Sequence, residues 1–329
     1  MISFTAQFKA MCTNDKRHKK IHYMNTIREL IKHFYNYTKV GNILISPAMW
    51  LYHIYRYHIL SEKEYIKQTF KNILSYELNL DNPKTLNEKI HWLQKNDRTP
   101  LYTLCSDKYA VRKYVKEKIG EQYLIPLVLQ TTNPKEIIPD NLPDYPFIIK
   151  TNHGCGGHVR VKDKSKIDWN RIQKHLKKSL KSNFYYQFRE WQYKNIKPCI
   201  IVEKLLLDKN SNIPYDYKFH CFNGKVEIIS ADMHRYIDLK RNVYDKDWNF
   251  IDCRMRLENG GKVKKPYMLN KMKSLAEALA QDFKYVRVDL YNIDSKIYFG
   301  ELTFSPAAGF QQFIPAKWDR ILGNKLVLH

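Results

Sequence analysis

An α+β fold with a helical front part follows from three observations. Apolar residues recur at helical spacing up to Gly120. Short β-branched runs broken by Pro and Asn come next. From residue 215 onward alternating, strand-like runs dominate, with one helical stretch at 269–282. A chain of 329 residues suits two or three domains or subdomains.

The elements can be argued in order. Ile27, Leu30, Ile31 and Phe34 mark one face of a helix over Met24–Tyr37. A turn containing Gly41 and Pro47 separates it from two further helices at 48–60 and 62–75, the second capped by Ser61. Asn82-Pro83 interrupts the chain. Thr85 then caps a helix to Asn96, and Glu88, three residues on, completes a capping box. Ser106 starts a helix that runs to Ile119 and stops at Gly120. Beyond it come strands at Ile125–Leu129 and Phe147–Lys150, a helix from Trp169 to Ser182, and a strand from Cys199 to Leu206.

Composition narrows the class. Hydrophobic residues make up 44% and aromatics 14%, enough for a core and too many for a disordered chain. No run of about 20 apolar residues exists. The stretch from Ile43 to Leu60 is broken by His53, Arg56 and His58, and the N-terminus does not read as a signal peptide. The six cysteines form no C-x-x-C pair, which argues against a disulfide scaffold or zinc site and for a reducing cytoplasm. Fifty-six Lys/Arg against 33 Asp/Glu leave a net charge of +23, a surface that attracts polyanions. Residues 1–80 hold twelve cations against five acids and residues 161–200 eleven against three.

Three segments carry candidate chemistry. In Phe147-Ile148-Ile149-Lys150-Thr151-Asn152-His153-Gly154-Cys155-Gly156-Gly157, a β-branched run ends in a lysine and opens into a glycine loop. Glycines let amides approach phosphate oxygens, and a lysine at the strand end can add its charge. This is neither a P-loop nor a dinucleotide fingerprint, and an ordinary glycine-rich hairpin is the competing reading. The second segment, 285–304, reads as a hairpin. Arg287, Asp289 and Tyr291 share one face of its first strand. A three-residue loop at 294–296 would oppose Asp289 to Glu301 and Arg287 to Thr303; a two-residue turn at 294–295 would put them on opposite faces. Opposed carboxylates repel unless a cation lies between them, and oxygen donors favour Mg²⁺. A salt-bridged hairpin, Arg287 with Asp289 or Glu301, is the alternative. The third segment, Glu203-Lys204-Leu205-Leu206, could present an adenine-binding edge or be a plain core strand. After it, Asp216, Lys218 and His220 share a face, where a carboxylate could hold ribose and a lysine could meet phosphate.

In this order the segments resemble the ATP-grasp superfamily: Asp107-Lys108, Lys150 with 154–157, Glu203-Lys204-Leu205-Leu206, Arg287-x-Asp289 and Glu301-x-Thr303. Pro83–Ile90, Asp107–Arg112, Arg189–Tyr193, Asp216–Phe219 and Gly300–Phe304 look like its TupA-like branch, named for teichuronopeptide synthesis and found among surface-polysaccharide genes. The likeness spans roughly residues 75–320. It implies two α+β subdomains clamping ATP: a helical region at 1–80, the first part of the core at 81–146, a lid with the glycine loop at 147–207 and a catalytic subdomain at 208–329. It also implies roles. Lys108 and Lys150 hold phosphates, with His153, Gly154, Gly156 and Gly157 in the loop that closes over them. Glu203, Lys204, Leu205 and Leu206 form the adenine edge, and Asp216 lies near the ribose. Asp289, Glu301 and Thr303 bind Mg²⁺; Arg287 and Lys218 act on the transferring phosphoryl group. Cys155 stands where serine is usual, and Thr303 where asparagine is usual.

The expected activity is an ATP- and Mg²⁺-dependent carboxylate–amine ligase working through an acyl phosphate. Its acid would be a uronic acid of an anionic capsular or cell-wall glycan and its amine an amino acid or small amine. A basic groove between Arg160 and Lys197 would hold the glycan. Nucleic acid is not the favoured partner. The expected location is the cytoplasm, with residues 1–74 able to touch the acidic inner face of the membrane. The rival readings are a kinase phosphorylating a glycan hydroxyl and a non-catalytic polyanion-binding protein.

Overall fold

The computed structural model describes residues 59–329 and, before them, Pro47, Leu51, Ile54 and Tyr55. The helices expected at 24–37 and 48–60 and the membrane-facing role of 1–74 thus fall wholly or mostly outside the described residues. Helix α1 (Glu62–Leu74) is led by Ser61, whose hydroxyl accepts the Glu64 amide at 3.2 Å. Residues 66–329 form one unit. In it, α2 (Leu86–Asn96) has the capping box that Thr85 and Glu88 promise, with both reciprocal hydrogen bonds present. Helix α3 (Pro100–Ser106) was not foreseen. It takes up Ser106, so the next helix, α4 (Val111–Lys118), starts later than expected, after Asp107 has bonded the amides of Tyr109 and Ala110. Gly120, at φ +105°, ends this helical part in a conformation open to glycine.

Strands β1 (Leu127–Thr131), β2 (Phe147–Thr151), β3 (Val159–Val161) and β4 (Ile200–Lys204) form an antiparallel sheet in the order β1-β4-β2-β3. The sheet thus begins upstream of residue 147. Helix α5 (Trp169–Leu180) packs Ile172 and Leu176 against Phe147, Ile149 and Val202, on one face of this sheet. A short helix, α6 (Tyr185–Phe188), leads on to β4.

The second sheet has the order β11-β10-β5-β6-β7-β8, from β5 (Asp216–Phe222), β6 (Lys225–Met233), β7 (Lys240–Asp245), β8 (Phe250–Ile251), β10 (Tyr285–Ile293) and β11 (Lys296–Thr303). Its neighbours are β9 (Arg254–Met255), α7 (Leu269–Ala280), β12 (Phe313–Ile314) and α8 (Lys317–Lys325). One face, with Phe219, Val286, Val288 and Leu290, buries against Met272, Ala276 and Leu279 of α7. The other face is apolar at one end, where Phe222 and Tyr285 pack with Ile90 of α2 and Leu322 of α8, and polar at the other. His220 sits at the change, bonded to Tyr285 Oη (2.9 Å) and Ser230 Oγ (3.1 Å). Helix α8 also carried no clear sequence signal; its Gly323 lies directly against the start of α2. Among the described residues no helix is long and apolar enough to cross a membrane, and the five described cysteines are free.

Candidate functional site

Between the two sheets lies a cleft of about 260 Å³. Strand alternation supplies its walls. On the small sheet Ile148, Lys150 and Glu203 face the cleft, while Phe147, Ile149 and Val202 face α5. On the large sheet Asp216, Asp289 and Tyr291 face it, while their neighbours enter the core.

The β10–β11 hairpin reaches its register by a route the sequence reading did not contain. The turn is the two-residue one: Ile293 pairs with Lys296. On that count Asp289 and Glu301 should lie on opposite faces. A bulge intervenes. Leu290 pairs with Phe299 but Asp289 pairs with Glu301, so Gly300 is the extra residue and the two acids face the same way. A Cβ at Gly300 would meet the Asp289 carbonyl oxygen at 3.0 Å and Tyr291 Cε2 at 3.1 Å, which is why glycine suits the bulge. Arg287 pairs with Thr303, as expected.

The charges on this polar face alternate in sign. Arg235 Nη1 lies 3.2 Å from Asp216 Oδ2. Lys218 Nζ lies 2.5 Å from both Asp216 Oδ2 and Asp289 Oδ2. Arg287 grips Asp289 through Nε (2.6 Å) and Nη2 (2.7 Å) and reaches Glu301 Oε1 with Nη2 (2.8 Å). Burial alone would push the Lys218 ammonium down, but Asp216 and Asp289 more than offset it and hold it above its ordinary value. Arg287 is raised in the same way: burial opposes its charge, and Asp289 and Glu301 outweigh that. The salt-bridged reading of the hairpin is thus realised, with Arg287 joining both acids, Asp289 buried and Glu301 half-exposed at the cleft.

On the opposite wall Lys150 Nζ stands 2.6 Å from Glu203 Oε2, an ion pair without hydrogen-bond alignment. Arg112 Nη1 meets Glu203 Oε1 at 3.2 Å. The Glu203 carboxylate thus lies between two cations, Arg112 and Lys150. Lys108 donates to the Gly154 carbonyl, tying the glycine loop to the turn before α4. Burial pushes the Lys108 ammonium down, and the Lys150 charge adds to that against the pull of Glu301. The amides of Lys204 and Leu205 donate to Pro126 and Pro146 carbonyls, both at 3.0 Å. Of the 204–206 edge, the Leu206 amide is the one left without a partner among the described residues.

Of the expected residues, Lys108, Lys150, Gly156, Glu203, Lys204, Leu205, Leu206, Asp216, Asp289 and Glu301 line the cleft. Lys218, Arg287 and Thr303 do not; the first two hold Asp289 from behind, and Thr303 Oγ1 donates to Glu301 Oε1 at 3.2 Å. Gly154 and Gly157 lie outside the lining. His153 is turned away: its Nε2 lies 3.2 and 3.1 Å from the Ser179 and Ser182 carbonyls, anchoring the loop to the end of α5. The sequence reading missed Ile125, Ile213 and Pro214, which line the cleft beside Leu205 and Leu206, and His158, Arg235, Tyr236 and Tyr291. Only Tyr291 had a signal, its place in register with Arg287 and Asp289.

Two observations bear on the nucleotide and its ion. Asp216 Oδ1 is buried and accepts no hydrogen bond, although its residue lines the cleft, so the site offers an unused acceptor to a hydroxyl or cation. Among the described residues no three His, Cys, Asp or Glu side chains gather as a ready-made metal site. Two opposed carboxylates with oxygen-only chemistry fit an ion that takes its remaining ligands from phosphates and water, the habit of Mg²⁺.

The basic groove expected between Arg160 and Lys197 is not part of the cleft. No residue between 159 and 202 lines it, because α5 sits on the far face of the small sheet.

The family model described as TupA-like ATPgrasp matches residues 88–327. No curated protein sequence gives a match. Among solved structures, the chain is similar to D-alanine–D-alanine ligase from Bacillus anthracis at 18% identity over 67% of this chain and 65% of that one, with a TM-score of 0.38. It is also similar to an L-amino acid ligase from Bacillus licheniformis at 12% identity over 82% and 61%, TM-score 0.42, and to D-alanine–D-alanine ligase from Helicobacter pylori at 13% over 69% and 62%, TM-score 0.36. In each case the chain spans less than two thirds of the other's length.

Proposed function

We propose that this chain, which belongs to the TupA-like ATP-grasp family, is an ATP- and Mg²⁺-dependent ligase that activates a carboxylate as an acyl phosphate and passes it to an amine. The observation that carries the reading is the cleft itself: Lys108, Lys150 and the glycine loop on one side, Asp289 opposed to Glu301 on the other.

Lys108 and Lys150 would bind the phosphates, and the cleft end at Ile148, Leu205 and Leu206 would take the adenine, with the Leu206 amide as its donor. Asp216 would accept from a substrate hydroxyl through Oδ1. Asp289 and Glu301 would hold Mg²⁺, which when bound supplies charge neutralisation of the phosphoryl oxygens. Thr303 positions Glu301 by its hydrogen bond. Arg287 and Lys218 fix the Asp289 carboxylate and keep positive charge beside the transferring group. The glycine loop, tethered by Lys108 and His153, would exclude water from the acyl phosphate.

For the substrates, the acid is taken to be a uronic acid of a capsular or cell-surface polysaccharide and the amine an amino acid or small amine. Support comes from the TupA-like relationship and from Arg235 at the cleft wall, a cation suited to an anionic acceptor. A cytoplasmic location follows from an ATP-consuming activity.

Titration calorimetry of ATP with Mg²⁺ tests the nucleotide site. Wild type should bind, and Asp289→Asn with Glu301→Gln should lose most of the Mg²⁺-dependent affinity. Incubation with ATP, Mg²⁺, a uronate glycan and an amine pool should then yield ADP and phosphate in step with amide. Phosphate appearing on a sugar hydroxyl would replace the ligase by a kinase, and absence of any ATP binding would leave a polyanion-binding protein.

A further inference from the structure

Several described lysines outside the lid have acidic neighbours: Lys71 with Glu77, Lys113 with Glu117, Lys118 with Asp282, Lys225 with Glu277, Lys325 with Glu227. The stretch that leads into and forms α5 differs from these. Residues 162–181 hold eight Lys or Arg against two Asp, a surplus of six out of the chain's twenty-three. Both aspartates are spent on local structure. Asp163 bonds Ser165 and pairs with Lys166, and Asp168 caps α5 through the Arg171 amide. Lys162, Arg171, Lys174, Lys177, Lys178 and Lys181 are all exposed, and none lies within ion-pair distance of a carboxylate among the described residues.

Geometry concentrates them. At 100° per residue the five on and just after α5 fall within an arc of roughly 120°, opposite the arc of Ile172 and Leu176. That buried arc packs on the small sheet, whose other face is the cleft. The basic surface is therefore convex and points away from the nucleotide site. None of the four main clefts among the described residues is lined by it, and Trp169, at the start of the helix, packs inward. A glycan chain or single-stranded nucleic acid asks for a trough or a stacking ring. Unpaired cations on a smooth helix face instead match a broad plane of diffuse negative charge.

We infer that the outer face of α5 docks this enzyme on an anionic phospholipid bilayer surface. This stands independently of the ligase reading, since no residue of the patch lines the cleft. It moves the membrane contact expected of residues 1–74 onto the lid, leaving the opposite wall of the cleft free to face the cell interior.

Co-sedimentation with vesicles tests it, using phosphatidylcholine alone and phosphatidylcholine doped with phosphatidylglycerol. The full chain should bind the doped vesicles, not the neutral ones, and release as salt rises through the range where the Debye length falls below about 10 Å. Lys174→Gln with Lys177→Gln and Lys178→Gln should weaken partitioning about a hundredfold, since each cation at such a surface contributes about fivefold. An unchanged unfolding midpoint checks that the variant is folded. The same charge change at paired sites, Lys113→Gln with Lys116→Gln and Lys225→Gln, should alter binding no more than a few fold. Equal binding to neutral vesicles overturns the inference, as does an undiminished response in the α5 variant, which would assign the contact to another part of the chain. So does retention of wild type, but not the α5 variant, on soluble polygalacturonate at the same charge density, which would make the patch a glycan site.

Discussion

Replacing Lys218 by methionine isolates the centre of the charge network. The residue is 4% exposed, and its ammonium lies 2.5 Å from carboxylate oxygens of both Asp216 and Asp289 and 3.8 Å from Asp232. Methionine keeps most of the volume, so the cost comes from charge rather than from a cavity. Removing one partner of a buried pair costs about 3–5 kcal/mol. Each acid here keeps a second cation: Arg235 for Asp216, Arg287 for Asp289 and Arg241 for Asp232. That puts the expected loss at the low end, about 3 kcal/mol. The folded-state pKa of Lys218 is raised, so the stability it contributes is complete at neutral pH and is lost only as pH climbs through that raised value. Urea unfolding at pH 7 measures the loss directly. Adding Asp289→Asn to the methionine variant removes one uncompensated charge and should restore part of it, a coupling of about 1–3 kcal/mol in a double-mutant cycle. A loss under about 1 kcal/mol, or a cycle without coupling, would show that the acids do not depend on the lysine and would refute the reasoning.

Two further outcomes are expected. Burial, aided by Glu301 and opposed by the Ser305 hydrogen bond, raises the Glu190 carboxyl from 4.5 to about 7; wild-type stability should therefore fall between those pH values as the unfolded chain ionises first, by up to about 3 kcal/mol, and Glu190→Gln should flatten that slope in pH-dependent urea unfolding and be the more stable form at pH 8 but not at pH 4. In Gly323→Ala the new Cβ would stand 2.3 Å from the Lys84 carbonyl oxygen, a backbone clash that should destabilise by about 3 kcal/mol; an unchanged denaturation midpoint would show that α8 does not press on the start of α2.

The parts legible in the sequence were those whose signal is local. The Thr85–Glu88 box marks its helix because both partners lie within four residues. Asp216 and Asp289 could be placed on faces because strand alternation is a property of the strand alone. What escaped depends on distant partners. Arg235, Tyr236 and His158 reach the cleft from loops and strand ends with no periodicity. Helix α8 is specified by the fit of Gly323 to another helix's first turn, which no window on residues 317–325 contains. The bulge is the sharpest case. The expected pairing of Asp289 with Glu301 is present, but not through the three-residue loop that would have produced it: the turn has two residues, and the extra residue is Gly300, which lies close to the Asp289 backbone.

That bulge also bears on why Arg287 occupies its place. Bringing Asp289 and Glu301 to one face sets two like charges opposite each other, which is unfavourable without a cation. In the protein alone Arg287 is that cation, with three hydrogen bonds to the pair at 2.6, 2.7 and 2.8 Å. Its hold is uneven. Asp289 is also bound by Lys218, whereas Glu301 Oε1 has only Arg287 and Thr303, and Oε2 accepts nothing among the described residues. Glu301, through its free Oε2, and Asp289 would be the residues to hold a divalent ion, whose charge would then share with Arg287 the task of offsetting the two acids. A hairpin without the extra residue would leave the two acids on opposite faces, where neither Arg287 nor a single ion could serve both.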